Sequence, residues 1–325
     1  MKFLLILSFL FNANKAQIYT KTVLLMGSRF DITVVATNKA EGDLFIDTAI
    51  AEIGRIEKLI SSWDSNSQIS RVNRSAGLKP ESVDKEVFEL VKRAKYISQI
   101  SYGAFDISYA SIDKIWKFDG TMKSLPTEDD IRKSVEKIDY RNIVLNQNDQ
   151  TIFLKNPGMK IGFGGIGKGY AADMAKKLLL SMGVKSGIIN ASGDLNTWGV
   201  KPDGTDWTVG ITNPLNKKNI FSWVPLKDKA VATSGTYEKR VTFKGVNYSH
   251  IIDPRTGWPI SNIVSVSVFS PSAELSDALA TTVFVLGVEN GLNLINQLKD
   301  THCIIIDTSN TIHKSDKLKT NEELP

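Results

Sequence analysis

Ile161-Gly162-Phe163-Gly164-Gly165-Ile166-Gly167-Lys168-Gly169-Tyr170-Ala171-Ala172-Asp173 is the stretch on which the fold of this chain turns. It lies between a strand-like run at 151–154 and a helical pattern at about 170–182. A turn so poor in Cβ atoms, opening a helix and carrying a lysine, offers backbone N–H groups and a positive charge to an anion. Gly162, Gly164 and Gly167 satisfy the G-x-G-x-x-G spacing of dinucleotide-binding turns. Gly162 with Gly167-Lys168 also fits a phosphate-binding loop, until Gly169 replaces the hydroxyl that would hold magnesium. Neither match is complete, because the acid due at the end of the next strand appears only as Asp194, after several loop residues. A tight strand-to-helix turn without a ligand is the remaining alternative.

Upstream of this turn, 19–25 and 29–36 partly alternate apolar with polar residues around Met26-Gly27-Ser28, which predicts two strands or one interrupted strand. Ile46, Ala49, Ile50, Ile53, Ile56 and Ile60 recur at helical spacing, predicting a helix over 46–60. Residues 61–77 read as polar loop, 83–98 as a second helix, and Thr127 caps a short helix to about 135. Short strands are expected at 143–145 and 151–154. Downstream, further strands are expected at 186–189, 207–211, 231–233 and 264–269, a helix at 273–286 stopped by Gly287, a last helix near 292–298 and a strand at 303–306. Helices and strands do not alternate strictly, so the class is α+β with a mixed sheet and packed helices. Residues 308–325 read as a frayed polar tail.

With 325 residues, 42% hydrophobic and 23% charged, the chain is long enough to bury a large core. Forty basic and 35 acidic residues leave a formal charge of +5, scattered along the chain rather than gathered in a stripe, which argues against a nucleic-acid partner. Cys303 is the single cysteine, so intramolecular disulfides and multi-thiolate metal sites are excluded, as is a lipid anchor on an amino-terminal cysteine. The three histidines, His250, His302 and His313, have no zinc-like spacing. A bound metal must therefore rely on oxygen ligands, which points to magnesium or calcium. At the amino terminus, Met1-Lys2, the apolar run 3–11 and the small residue Ala16 match a secretory signal over 1–16 and predict export.

Two more segments carry chemistry. Asp277 and Thr281 stand one turn apart on one helix face, so a carboxylate and a hydroxyl converge as hard oxygen ligands; helix-start acid and back-bonded threonine are their ordinary structural roles. Tyr248-Ser249-His250-Ile251-Ile252-Asp253-Pro254-Arg255-Thr256-Gly257 puts a histidine, a carboxylate and an arginine in one rigid turn.

Taken together, these segments resemble the ApbE family of FAD:protein FMN transferases. The resemblance rests on Trp63-Asp64 with 67–73, Gly103-Ala104-Phe105-Asp106, Gly164-Gly165-Ile166-Gly167-Lys168-Gly169-Tyr170-Ala171, 190–194, Ser234-Gly235-Thr236-Tyr237-Glu238, His250 to Gly257, and Asp277-Ala278-Leu279-Ala280-Thr281, all in one order. It implies an ApbE-like, T-fold-like α+β domain over 17–310 and a tail over 311–325. It also implies FAD as donor substrate, Mg2+ as cofactor, and a Ser or Thr of an acceptor flavoprotein subunit of an envelope redox system as the group modified. By the same resemblance, the Gly167 carbonyl, Asp277 and Thr281 would hold the metal, and Met26, Trp63, Ala104, Phe105, Asp106, Lys168 and Ile251 would line the FAD site. The sequence departs from the family in having Gly162 where Asp is frequent, Gly167 where Ala is common, and Ser192 where Gly is common.

The chemistry so implied is attack of an acceptor hydroxyl on the FAD pyrophosphate with release of AMP. His250 or Asp253 would take the proton, imidazole being the side chain suited to that task near neutrality. An FAD pyrophosphatase giving FMN and AMP, and a non-catalytic exported flavin-binding protein, are the competing functions. Location in the periplasm or on the envelope follows from the signal, with membrane contact only through acceptors.

Overall fold

The computed structural model describes residues 16–119, 121–212, 220–236, 240–243, 245–316 and 318. The apolar run of the expected signal lies outside these residues. Eight strands form the main sheet and lie side by side in their sequence order: Gln17–Leu25, Ser28–Ala36, Gly187–Ala191, Asp194–Trp198, Ala230–Gly235, Ile263–Ser270, His302–Asp307 and Ile312–Lys314. Every neighbouring pair is antiparallel. The α+β class therefore holds, whereas the expected mixture of parallel and antiparallel pairs does not. With no parallel neighbours among the described residues there is no βαβ unit there, and the dinucleotide-fold reading of the glycine turn falls with it. The strand before that turn, Thr151–Leu154, belongs to a separate three-stranded sheet with Glu81–Ser82 and Ile143–Asn146.

Among the described residues six α-helices accompany the sheets: α1 (Lys39–Ile60), α2 (Gln68–Arg74), α3 (Lys85–Ile100), α4 (Glu128–Ser134), α5 (Gly167–Ser181) and α6 (Ala273–Asn296). Helix α1 begins seven residues before the periodic stripe. The Asn38 side chain accepts the Glu41 N–H at 3.0 Å, and the Glu41 carboxylate accepts the Thr37 N–H at 2.7 Å, so the first turn is closed at both ends. Its stripe of Ile46, Ala49, Ile53, Ile56 and Ile60 is buried with Phe30, Ile32 and Val34 of the second strand. Each isoleucine so buried stabilises the fold by roughly 1.5–3 kcal/mol. Thr127 and Asp130 form the expected capping box of α4.

Helix α6 is long and apolar enough to cross a bilayer, but Leu279, Val283 and Phe284 pack against Val266 and Val268 of the sheet. At Gly287 the backbone leaves helical geometry (φ 78), so the expected stop is real and the helix resumes beyond it. The opposite sheet face, with Val231, Phe269 and Ile304, is covered by the hairpin Trp207–Thr212/Ile220–Leu226 through Leu226, Val209 and Val224.

Several elements were not expected. Helix α2 forms inside the presumed polar loop because Ser67 accepts the Ser70 N–H at 2.9 Å and Ile69 and Val72 reach the core. The presumed tail is corrected too: Ile312–Lys314 pairs with the strand before it, and the Ser315 hydroxyl accepts the Cys303 N–H at 3.0 Å. The hairpin between Gly187–Ala191 and Asp194–Trp198 turns through Ser192 (φ 57) and Gly193 (φ 106), the left-handed pair that fits a two-residue hairpin.

Candidate active site

A cleft of about 450 Å³ lies where the glycine turn, the turn at Ala104, helix α6 and the His250 loop meet. Nine of the twelve residues expected at the site line it: Trp63, Ala104, Phe105, Asp106, Lys168, His250, Ile251, Asp277 and Thr281. Met26, Gly167 and Asp253 do not. Met26, in the left-handed region (φ 52), donates its N–H to Glu57 Oε2 at 3.0 Å, and its side chain packs against the core beside Gly167. Asp253 is held inside its own turn, where its carboxylate accepts from Arg255 Nε at 2.8 Å and from Nη2 at 2.7 Å. With both oxygens engaged there, it is a turn-forming residue, and His250 remains the cleft residue suited to move a proton.

The glycine that faces Thr281 is Gly165, not Gly167. A Cβ on Gly165 would lie 3.1 Å from Thr281 Oγ1, whereas one on Gly167 would meet Phe163 and Ile60. Closest of all is Gly169, where α5 touches the first turn of α6 and the Gly169 N–H donates to Asp277 Oδ2 at 3.2 Å. The segment predicted to bind an anion thus brings the amino terminus of α5 onto the carboxylate of α6.

Charge is concentrated here. Lys168 Nζ pairs with Asp194 Oδ2 at 2.5 Å, and Asp194 and Asp277 are 4% and 5% exposed. Burial holds the Asp277 carboxyl far above the usual carboxylate range; Asp194 pushes it further and Lys168 opposes the shift. Asp106 is also raised by burial, against hydrogen bonds from the Ser108 N–H and hydroxyl and the Tyr140 N–H. At the cleft mouth Trp63 is 84% exposed, with the Lys114 ammonium 4.8 Å from its ring centroid.

These residues fit a hard divalent cation. Two buried carboxylates face one lysine, and a cation there would offset the desolvation that raises the Asp277 carboxyl. The Thr281 hydroxyl, 3.5 Å from Ser234 Oγ, and the carbonyls of the glycine turn supply neutral oxygens. Among the described residues no group of three or more His, Cys, Asp or Glu side chains is placed to hold a metal, so hydroxyl and carbonyl ligands would be needed.

Sequence reasoning missed Asp194 and Asp173 as site residues. Asp173, on α5, accepts the Ala273 N–H at 2.8 Å and the Glu274 N–H at 3.0 Å, capping α6 from another helix. Burial pushes its carboxyl up to about 6. It also accepts from Asn196 on the strand that carries Asp194, so one carboxylate ties together the elements bearing Lys168, Asp194 and Asp277. Its position five residues after Lys168 was visible; its partner 100 residues away was not.

Residues 26–305 match the model of the ApbE family. The chain belongs to that family. Curated relatives named FAD:protein FMN transferase include one from Klebsiella pneumoniae, 30% identical over 91% of both chains, and one from Treponema pallidum, 28% identical over 89% of this chain and 84% of that one. Among solved structures, the ApbE protein of Thermotoga maritima superposes with a TM-score of 0.83 at 28% identity, covering 92% of this chain and 97% of its own. The Pseudomonas stutzeri flavinyl transferase ApbE gives 0.82 at 26% identity, with 93% and 95% covered. The expected ApbE-like α+β domain is thereby established.

Proposed function

We propose that this ApbE-family chain transfers FMN from FAD to a Ser or Thr hydroxyl of an acceptor protein in a magnesium-dependent reaction that releases AMP. The observation that carries this reading is the meeting, in one cleft, of Asp277 and Thr281 with the glycine turn, the Lys168–Asp194 pair and His250. The names of the curated relatives support FMN transfer from FAD to protein as the activity.

In the reaction, the acceptor oxygen forms a bond to the FMN phosphorus, the bond from that phosphorus to the bridging oxygen breaks, and AMP departs with the bridging oxygen. Magnesium, held by Asp277, Thr281 and a carbonyl of the glycine turn, would supply Lewis-acid stabilisation of the negative charge on phosphate oxygens. Lys168, oriented by Asp194, presents a fixed ammonium to the same charge. His250 takes the hydroxyl proton. The Ala104–Asp106 turn, Ile251 and the exposed Trp63 ring form the walls against which the flavin nucleotide lies.

We place the mature protein in the periplasm or on the envelope, exported by the signal at 1–16, with unflavinylated envelope redox subunits as acceptors. The test is incubation of the chain with FAD, magnesium and such subunits, followed by in-gel flavin fluorescence. A fluorescent acceptor band that disappears with Asp277→Ala is expected. Free FMN and AMP without a band would mean a pyrophosphatase, and unchanged FAD would mean a binding protein; either overturns the proposal.

A further inference from the structure

A second, polar cavity of about 380 Å³ opens beside the cleft, and Asp106 and Pro254 form a wall common to both. Its other principal residues are Tyr102, Tyr140, Arg141 and Arg255. We propose that this cavity receives the acceptor polypeptide, as an extended segment that offers main-chain carbonyls to the two guanidiniums near the hydroxyl to be modified. The inference rests on the transfer reading above and adds the site of the second substrate.

Position is the first argument. Arg255 follows directly on the loop that carries His250, and its Cγ lies 3.6 Å from where a Cβ on Gly103 would stand. Gly103 in turn precedes Ala104 of the cleft wall. A chain resting in the cavity is therefore separated from the cleft by a single layer of residues.

Tyr102 supplies the second. Helix α3 ends at Ile100, and the Tyr102 N–H and Gly103 N–H return to the carbonyls of Gln99 at 3.2 Å and Ser98 at 2.9 Å. That closure needs left-handed backbone at both positions, φ 51 and φ 79, which suits glycine or asparagine and strains an aromatic residue. Yet the Tyr102 side chain is 83% exposed and so does not contribute to the core. A strained residue whose ring is presented to solvent beside a cavity is an arrangement that folding alone does not require.

The guanidiniums are the third. Asp253 takes Nε and Nη2 of Arg255 and so fixes that plane at one edge, Asp139 accepts from Arg141 Nε at 2.8 Å, and a guanidinium's five donors exceed those bonds. Guanidinium edges match carbonyl oxygens. Asp106 and Asp139 beside them disfavour a polyphosphate in the same space. Tyrosine and arginine together are the residue types that anchor protein–protein contacts.

The test uses the full chain with Tyr102→Asn and, separately, Arg141→Ala; the probe is the unflavinylated envelope subunit that the unaltered chain labels in the in-gel assay. Initial rates against acceptor concentration at saturating FAD and magnesium should show the acceptor KM raised about tenfold in each variant. The Kd for FAD, read by flavin fluorescence, should stay within about twofold, and Tyr102→Asn should melt no lower than the unaltered chain because asparagine relieves the turn. An unchanged acceptor KM, or an FAD Kd that rises in parallel, overturns the acceptor assignment while leaving transfer intact. Failure of the unaltered chain to label any subunit overturns the transfer reading itself and this inference with it.

Discussion

Replacing Gly169 by alanine tests whether the site depends on the close approach of α5 to α6. A Cβ there would lie 2.1 Å from the Ala273 carbonyl oxygen, 2.5 Å from its carbon and 2.8 Å from the Glu274 nitrogen. All three are main-chain atoms, so no rotamer change relieves the overlap, and Ala273→Gly would not rescue it. Restoring ordinary contact requires the first turn of α6 to retreat by roughly 1 Å. That movement stretches the Gly169 N–H bond to Asp277 and the two bonds from the α6 amino terminus to Asp173 beyond useful length. Overpacking of this kind costs about 1–3 kcal/mol, and each buried donor left without its acceptor adds about 1 kcal/mol. Asp277 and Thr281 lie on the next two turns of the displaced helix, and a 1 Å error at a reacting centre costs on the order of a hundredfold in rate. Urea unfolding and FMN-transfer rates at saturating FAD read the two effects. A Gly169→Ala chain with unchanged midpoint and transfer within threefold of the unaltered chain would refute the reasoning.

Gly54 gives the opposite expectation: it lies inside α1 with nothing within 4 Å of an added Cβ, so Gly54→Ala should raise stability by about 0.5–1 kcal/mol, seen as a higher urea midpoint. Lys168→Met leaves the buried Asp194 carboxylate facing Asp277 without its lysine; stability should fall by about 3 kcal/mol in the same measurement, and adding Asp194→Asn should recover part of it. Because burial makes Asp277 hold its proton in the folded chain to a higher pH than in the unfolded one, metal-free stability should fall as pH rises from about 4 upward, and Asp277→Asn should flatten that slope. By the same linkage magnesium should bind more tightly with rising pH and release protons, which calorimetry in buffers of different ionisation enthalpy would detect.

Local signals carried much of the fold. The Ile46-to-Ile60 stripe, the Thr127 cap and the break at Gly287 each depend on residues within a few turns of one another, and each is present. The one-turn spacing of Asp277 and Thr281 likewise placed both in the cleft. The strand Asp194–Trp198 was opaque for the opposite reason. Its Asn196 and Thr197 are buried polar residues, 1% and 0% exposed, so hydrophobic alternation gives no sign of them. They are tolerated inside because the Lys176 ammonium donates to Asn196 Oδ1 at 2.8 Å and to the Thr197 carbonyl at 2.9 Å, while Asn196 donates to Asp173. Asp194 shares that strand, and its role appears only once Lys168, 26 residues earlier, is brought beside it. The edge strand Ile312–Lys314 escaped notice because a strand paired on one side needs little apolar character, and its neighbours in sequence are polar.

The glycine turn resembles a dinucleotide motif while serving a different geometry, and the difference follows from what each missing side chain makes room for. No left-handed φ occurs at Gly164, Gly165, Gly167 or Gly169, so none is required by backbone conformation. A Cβ at Gly164 meets nothing within 4 Å, one at Gly165 comes 3.1 Å from the Thr281 hydroxyl, one at Gly167 meets Phe163 and Ile60, and one at Gly169 collides with the main chain of α6. Proximity to α6, rather than the shape of a phosphate, therefore explains the glycines nearest the helix. The helix start that offers N–H groups and Lys168 to an anion is the same element that must touch the Asp277 helix. On the proposed reading, the anion-binding end and the cation-binding carboxylate can be neighbours because Gly165 and Gly169 lack side chains. A spacing pattern read as a nucleotide cradle is, in three dimensions, a helix–helix contact on whose edge a diphosphate and its counter-ion can meet.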